Sequence, residues 1–385
     1  MTRVHVALLP RDGFFCKDGR GWFTSASGRG HGIEWPWPST ILGSIRTAWG
    51  RAEEDRANTS FDPNAWLTRT APIQLGRILA LRRPHAAAWQ SEHVTWPVPL
   101  DAVWFEEEPE LHRLNPQPPE LPTLGREDDA AREALWRPSP ARSEKPVKLP
   151  RWWSNADMAA WLAGKPVPAP ARPALCLVRR LQVRIGIHSE ELTADGGALF
   201  SHDVVETIEP QAEWAIGVEA SIPGDALPPV ATLGSDARPI RIEPLPKNLF
   251  DPPDELLAAF RQGSAGLRMV VVTPACFEKG WLPDGLIQHG NEYRGRVAGL
   301  GEVILRAAFV PRPMHISGWD MAAGTPKVTA RMVAPGAVYF FERVDGRPFE
   351  ENEARALWLS AIGARTEEGF GYVIPGVWSP KRSNQ

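Results

Sequence analysis

A chain of 385 residues exceeds the usual length of one domain and reads as two. Its 43% hydrophobic content fills ordinary cores, which excludes a chain disordered overall. A formal net charge of −3 excludes a bulk nucleic-acid binder held by a general positive field, so any such contact comes from local basic faces. Cys16, Cys176 and Cys276 form no CxxC and read as free thiols of a reducing compartment. No signal peptide opens the chain and no run approaches the about 18 apolar residues of a membrane span, so a soluble, cytoplasmic protein is expected.

Val4 to Leu9 is an apolar run stopped by Pro10 and predicts a first strand. RDGFFCKDGR (11–20) places two Asp-Gly turns around a Phe-Phe pair, and SASGRGHGIEW (25–35) is too glycine-rich for regular structure. Ser39 then predicts an N-cap. Ile41, Leu42, Ile45, Ala48 and Trp49 follow at helical spacing, so a helix is expected over 40–53. Residues 105–150 hold nine prolines and acid clusters at 106–108 and 127–129, a composition that predicts a linker or surface excursion. RWWSNADMAAWLAG (151–164) predicts a helix capped by Ser154 or Asn155 and stopped by Gly164.

Leu181, Val183, Ile185 and Ile187 alternate with Gln182, Arg184, Gly186 and His188. Period two predicts a strand with its apolar set in the core, leaving Arg180, Arg184 and His188 outward, where they suit a phosphate backbone. Further strands are expected at 214–220 and 269–273, and a short helix at 254–261. A helix over 351–362 puts Gly363 at its C′ position, before a glycine loop around Gly369-Phe370-Gly371 and a last strand at 372–374. Strands and helices interleave irregularly, which favours an α+β fold.

A locally basic stretch is SGWDMAAGTPKVTARMVAPGAVYFFE (317–342) with the residues just before it. Between 305 and 334, Arg306, Arg312, Lys327 and Arg331 stand against one acid, Asp320, with His315 among them. It reads as a positively charged loop presented from a strand edge, although a merely solvated loop has the same composition. Catalytic motifs are absent: no GxxxxGK[ST], HExxH or GxSxG occurs, and the histidines lack metal-ligand spacing. Binding is therefore the default role. His31, in the glycine-rich loop near Arg29, is the one candidate general base. EGFGYV (368–373) matches an RNA-recognition signature only in part, since Glu368 replaces the basic residue and the segment follows the last helix. It reads instead as part of a loop whose bare backbone N–H groups approach a phosphate closely.

PRDGFFCKDGRGW (10–22), PSTILGSIRTA (38–48), RIGIHSEELTADGGALF (184–200), VTPACFEKGWLP (272–283) and the 317–342 stretch, in that order, resemble the RAMP-type subunit-three family of the type III-B CRISPR Cmr effector complex. The resemblance implies two ferredoxin-like (RRM-like) βαββαβ domains packed together, at 1–170 with the proline-rich insertion and at 171–385, with a C-terminal glycine-rich loop. It implies a non-catalytic subunit that grips the 5′ tag of the crRNA for antiviral defence. That subunit docks on the large polymerase/cyclase-type subunit beside a backbone RAMP subunit and meets target RNA only indirectly. No cofactor, metal or membrane is implied. The residues expected to line the RNA groove are Arg11, Lys17, Arg20, Ser39, Arg46, Arg180, Arg184, His188, Lys327, Arg331, Gly363, Gly369 and Gly371. An alternative within the same RAMP proteins is an endoribonuclease processing precursor crRNA with His31 as base. The 17 tryptophans could anchor protein interfaces or fill the chain's own core.

Overall fold

The computed structural model describes residues 1–18, 28–118, 135–138, 144–170, 175–235, 237–320 and 324–380. Strands dominate and helices are few, consistent with an α+β fold. A first seven-stranded sheet runs, edge to edge, through Val230–Leu233, Arg238–Pro244, Thr2–Pro10, Ala212–Ile222, Gln74–Pro84, Val94–Pro97 and Trp152–Ser154. Antiparallel register sets Leu8 opposite both Ile216 and Ile242. Alternation sends Val6 and Leu8 to one face, under Ile41, Leu42, Ile45 and Ala48 of the helix Pro38–Ala57. Ala7 and Leu9 face the other way, into a larger core that continues into the second sheet. Both faces are covered, which is why this strand reads as one apolar run.

The first helix begins earlier than its sequence suggests. Trp37 is the N-cap, without a side-chain bond, and Pro38 opens the first turn, where its missing N–H costs nothing. Ser39 is therefore inside the helix and does not cap it.

The second seven-stranded sheet runs through Leu286–His289, Glu292–Val297, Gly301–Phe309, Val338–Arg343, Gly266–Val271, Tyr372–Trp378 and Ser360–Ala361. Gly266–Val271 is buried throughout, as its unbroken apolar run requires. The helix expected over 351–362 stops at Leu357. Leu359 takes φ 50°, and Ser360–Ala361 pairs with the last strand as an edge, so Gly363 follows a strand instead of a helix. Residues 212–244 thus share a sheet with Thr2–Pro10, and the second sheet begins only at Gly266.

The described parts of the proline-rich segment are not an excursion. Phe105 and Leu111 are buried, and Trp136, Val147 and Leu149 pack on the main core. The Trp136 N–H donates to the Arg306 carbonyl at 2.6 Å, and its ring meets Trp378 at 5.9 Å. Proline forbids regular hydrogen-bonded structure but not burial. Nearby, Asp101 accepts from Arg268 at 2.8 Å and from the Trp161 indole N–H at 2.9 Å, all three side chains being buried. This pair ties the helix Asn155–Leu162, which Ser154 caps by accepting from the Asp157 N–H at 3.1 Å, to the centre of the second sheet. Most tryptophans are core; among the described residues only Trp281 and Trp319 are exposed. No described helix is long and apolar enough to cross a membrane.

Candidate nucleic-acid interface

Within the 317–342 stretch and its approach, Met314–Ile316 pairs antiparallel with Ala330–Met332, setting Met314 opposite Met332 and His315 opposite Arg331. Directly opposed residues share a face. Met314, Ile316, Ala330 and Met332 join Trp37, Phe370, Ile33 and Cys276 in a small core of their own. His315 and Arg331 consequently stand together in solvent, with Arg312 and Lys327 also exposed. The Lys327 N–H donates to the Gly318 carbonyl and its own carbonyl accepts from the Ser317 hydroxyl, both at 2.9 Å, which fixes the backbone and leaves the ammonium outside. Among the described residues, Arg312, Lys327 and Arg331 make no ion pair. Arg306 is different: Glu342 and Glu292 hold it beneath Trp136, so it leaves the basic set. Arg312 and His315 are the residues that sequence reasoning left out of the site, and the signal that finds His315 is its place directly across from Arg331.

The terminal glycines serve the fold. Gly371 takes φ 78°, and a Cβ there would lie 2.0 Å from the Ile362 carbonyl oxygen. Gly369 (φ 92°) meets Ile78 at 2.7 Å and Gly363 (φ 82°) meets the Cys276 carbonyl at 2.4 Å. The Gly369 N–H donates to Thr366 at 3.0 Å and the Gly371 N–H to Pro274 at 2.9 Å, so neither is bare toward a ligand. Phe370 is fully buried under Arg365, which Glu368 holds with two bonds of 2.7 Å, and it offers no face to a base. Arg46 donates to the Ala71 and Ile73 carbonyls at 3.3 and 3.0 Å, closing the end of the helix Pro63–Thr70. Burial lowers its pKa while Glu368 and Glu367 pull it back up. Ser39 is half-buried beside these elements.

The strand Val178–Ile187 has the predicted alternation with the opposite facing. Leu181, Val183, Ile185 and Ile187 are 47–61% exposed, whereas Gln182 and Arg184 lie half-covered. Across the hairpin, Arg184 faces Phe200 and Gln182 faces His202. His202 is buried against Phe15 at 4.6 Å, which holds the polar side of the pleat down on the protein. Gln182 accepts from Arg184 at 3.3 Å and from Arg238 at 3.0 Å, and Arg180 pairs with Glu206 at 2.6 Å. His188 is exposed in the hairpin turn. In the first loop, Arg11 is exposed 3.5 Å from Glu213, and Lys17 is half-buried where it bridges Gly32. Arg20 lies outside the described residues. His31 is exposed, and among the described residues its ring makes no hydrogen bond, while its carbonyl accepts from the Asp18 N–H at 3.1 Å.

The structure brings the strand that carries Arg331 and Phe370 of the terminal glycine loop to one small core, which Trp37 at the start of the first helix also enters. The 178–206 hairpin stands beside them, its base touching the same Ile33. Among the described residues no cluster of His, Cys, Asp or Glu could hold a metal ion.

The family model for CRISPR-associated protein (Cas_Cmr3) matches residues 6–378. The chain belongs to that family. No curated protein sequence matches the chain. A chain of the type III-B Cmr-beta complex, solved by cryo-EM with cognate target RNA and AMPPnP, is 12% identical with a TM-score of 0.41. The match covers 87% of this chain and 86% of that one. A second Cmr-beta structure, with cognate target RNA alone, gives 13%, 0.40 and the same coverage.

Proposed function

We propose that the chain is the non-catalytic RNA-binding subunit of a type III-B Cmr effector complex acting in the cytoplasm in antiviral defence. It grips the 5′ tag of the crRNA, docks on the large polymerase/cyclase-type subunit beside a backbone RAMP subunit, and meets target RNA through them. The observation that carries this reading is the exposed His315–Arg331 face with Arg312 and Lys327. Guanidinium and ammonium groups free of acidic partners are what a phosphate backbone recruits, and a local face of this kind reconciles RNA binding with a net charge of −3. The endoribonuclease alternative through His31 gains nothing from the site, since no described group orients that ring.

Strand order supports two ferredoxin-like units. Counting Thr2–Pro10, Gln74–Pro84, Ala212–Ile222 and Arg238–Pro244 as one to four gives the spatial order 4-1-3-2. Gly266–Val271, Gly301–Phe309, Val338–Arg343 and Tyr372–Trp378 give the same order. Helix Pro38–Ala57 fills the first crossover of the first unit, and helix Glu351–Leu357 the second crossover of the other. On this reading the boundary lies between 244 and 266, not at 170/171. The test is crRNA retention by the assembled complex carrying Arg312→Ala and Arg331→Ala together. Loss of crRNA is expected; full retention would show that this face does not hold the tag.

A further inference from the structure

Beyond the pairing of Met314–Ile316 with Ala330–Met332, the ribbon that carries the basic face continues into a shorter pairing, Trp319–Asp320 against Thr325–Pro326. Trp319 stands directly opposite Pro326 and is 40% exposed, one of only two exposed tryptophans among the described residues. The ribbon stands clear of the body here: Val328, two residues after Pro326, is 93% exposed. The Lys327 stem lies along Gly318, where an added Cβ would meet its Cδ at 3.6 Å. From tip to base the ribbon therefore presents an indole, the Lys327 ammonium and the His315–Arg331 pair, all to solvent. Asp320 is the one acid between 314 and 332.

Leaving an indole at a ribbon tip forgoes the gain that burial gives most of the chain's tryptophans. Two kinds of partner could recover it. An aromatic anchor of a protein interface sits in a core depleted of charge, whereas Trp319 shares its ribbon with three cationic or titratable side chains. Cations along a track with a flat ring at its end are the parts of a single-strand site: the charges neutralise phosphates and the ring stacks a base. We propose that Trp319 stacks one unpaired nucleobase of the strand whose phosphates Arg331 and Lys327 hold. Arg331 and Pro326 are five residues apart, at most about 17 Å along the ribbon, so ring and guanidinium meet different nucleotides of one strand. A duplex keeps its base faces stacked inside and offers this ring none. The stacking rests on the RNA-binding reading and adds that the strand is unpaired where it crosses the tip.

The experiment measures binding of a single-stranded RNA and of its duplex by the full-length chain. It also photocrosslinks the assembled complex through guides carrying 5-iodouridine at one position at a time. Trp319→Ala is expected to weaken single-strand binding about tenfold with the salt slope unchanged, because stacking releases no counterion. Trp319→Phe, which keeps a ring, should stay within about threefold of wild type. Neither substitution should change duplex binding, and one guide position should give an adduct at Trp319. If Trp319→Ala binds like wild type and no adduct forms there while Arg331→Ala weakens binding, the stack is wrong and the RNA-binding reading stands. If Trp319→Ala keeps its RNA affinity but is lost from the assembled complex, the indole anchors a protein and the proposal falls. If the wild-type chain neither binds RNA nor crosslinks to any guide, both readings fall.

Discussion

Two hairpins of this molecule carry alternating strands with arginines, and they resolve the alternation in opposite ways. In the 314–332 hairpin the apolar set is tucked into a small core and Arg331 with His315 is left to solvent. In the 178–206 hairpin the arginine side is laid against Phe200 and His202, with Arg180 paired to Glu206, while four aliphatic side chains point outward. Period two predicts the strand at 181–188, whereas 317–342 reads from sequence as a loop and the strands Met314–Ile316 and Ala330–Met332 are too short to show a period. Which face is buried depends on what the rest of the fold brings to it: Phe370 and Trp37 under one hairpin, and Phe15 under the other.

The two large sheets are joined by the buried Asp101–Arg268 pair, and the largest effect is expected from breaking it. Asp101→Ala leaves Arg268 buried without its partner and should cost about 3–5 kcal/mol in urea unfolding. Next is Gly371→Ala, which places a side chain at positive φ and against the Ile362 carbonyl. A loss of about 1–3 kcal/mol from the backbone alone is expected, and it should loosen only the core under the 314–332 hairpin in hydrogen exchange.

A third prediction uses acid. Burial pushes the Glu209 carboxyl up, but hydrogen bonds from Arg82 and Trp214, both at 2.6 Å, and the Arg82 charge push it further down, so it titrates below the ordinary carboxylate range. A depressed pKa means the stabilisation is complete above the ordinary value and is lost as pH falls through the lowered one. Protection at the base of the 178–206 hairpin should therefore fall on acidification below the ordinary carboxylate range. Glu209→Gln should flatten that dependence, and the apolar-seated 314–332 hairpin should not share it. The smallest effect is expected from Val183→Lys on the outward face, within about 0.5 kcal/mol of wild type, because that side chain is 61% exposed. A large destabilisation would mean the face is covered within the chain.

Much of the framework was legible before the structure. Ser154 caps the helix it predicted, and the apolar runs at 214–220 and 269–273 lie in buried strands. What escaped was set by tertiary contact. Gly369 and Gly371 looked like bare backbone for a ligand, yet Ile78 and the Ile362 carbonyl demand them. Arg46 reads from sequence as a phosphate-binding cation, yet it closes a neighbouring helix. The prolines of residues 105–150 suggested a linker, because composition reports the lack of regular structure and cannot report that Trp136 finds Trp378. Arg331 stays in the proposed face because it is exposed and, among the described residues, makes no ion pair.

On the proposed function, the 314–332 hairpin, not the 178–206 hairpin, presents its cations to RNA. The direct measurement is the salt dependence of RNA binding for Arg331→Ala and Arg184→Ala side by side. Arg331→Ala should reduce the slope of log affinity against log salt by between about 0.7 and 1, while Arg184→Ala leaves it unchanged. A reduced slope for Arg184→Ala with Arg331→Ala at the wild-type value would place the RNA on the 178–206 hairpin instead.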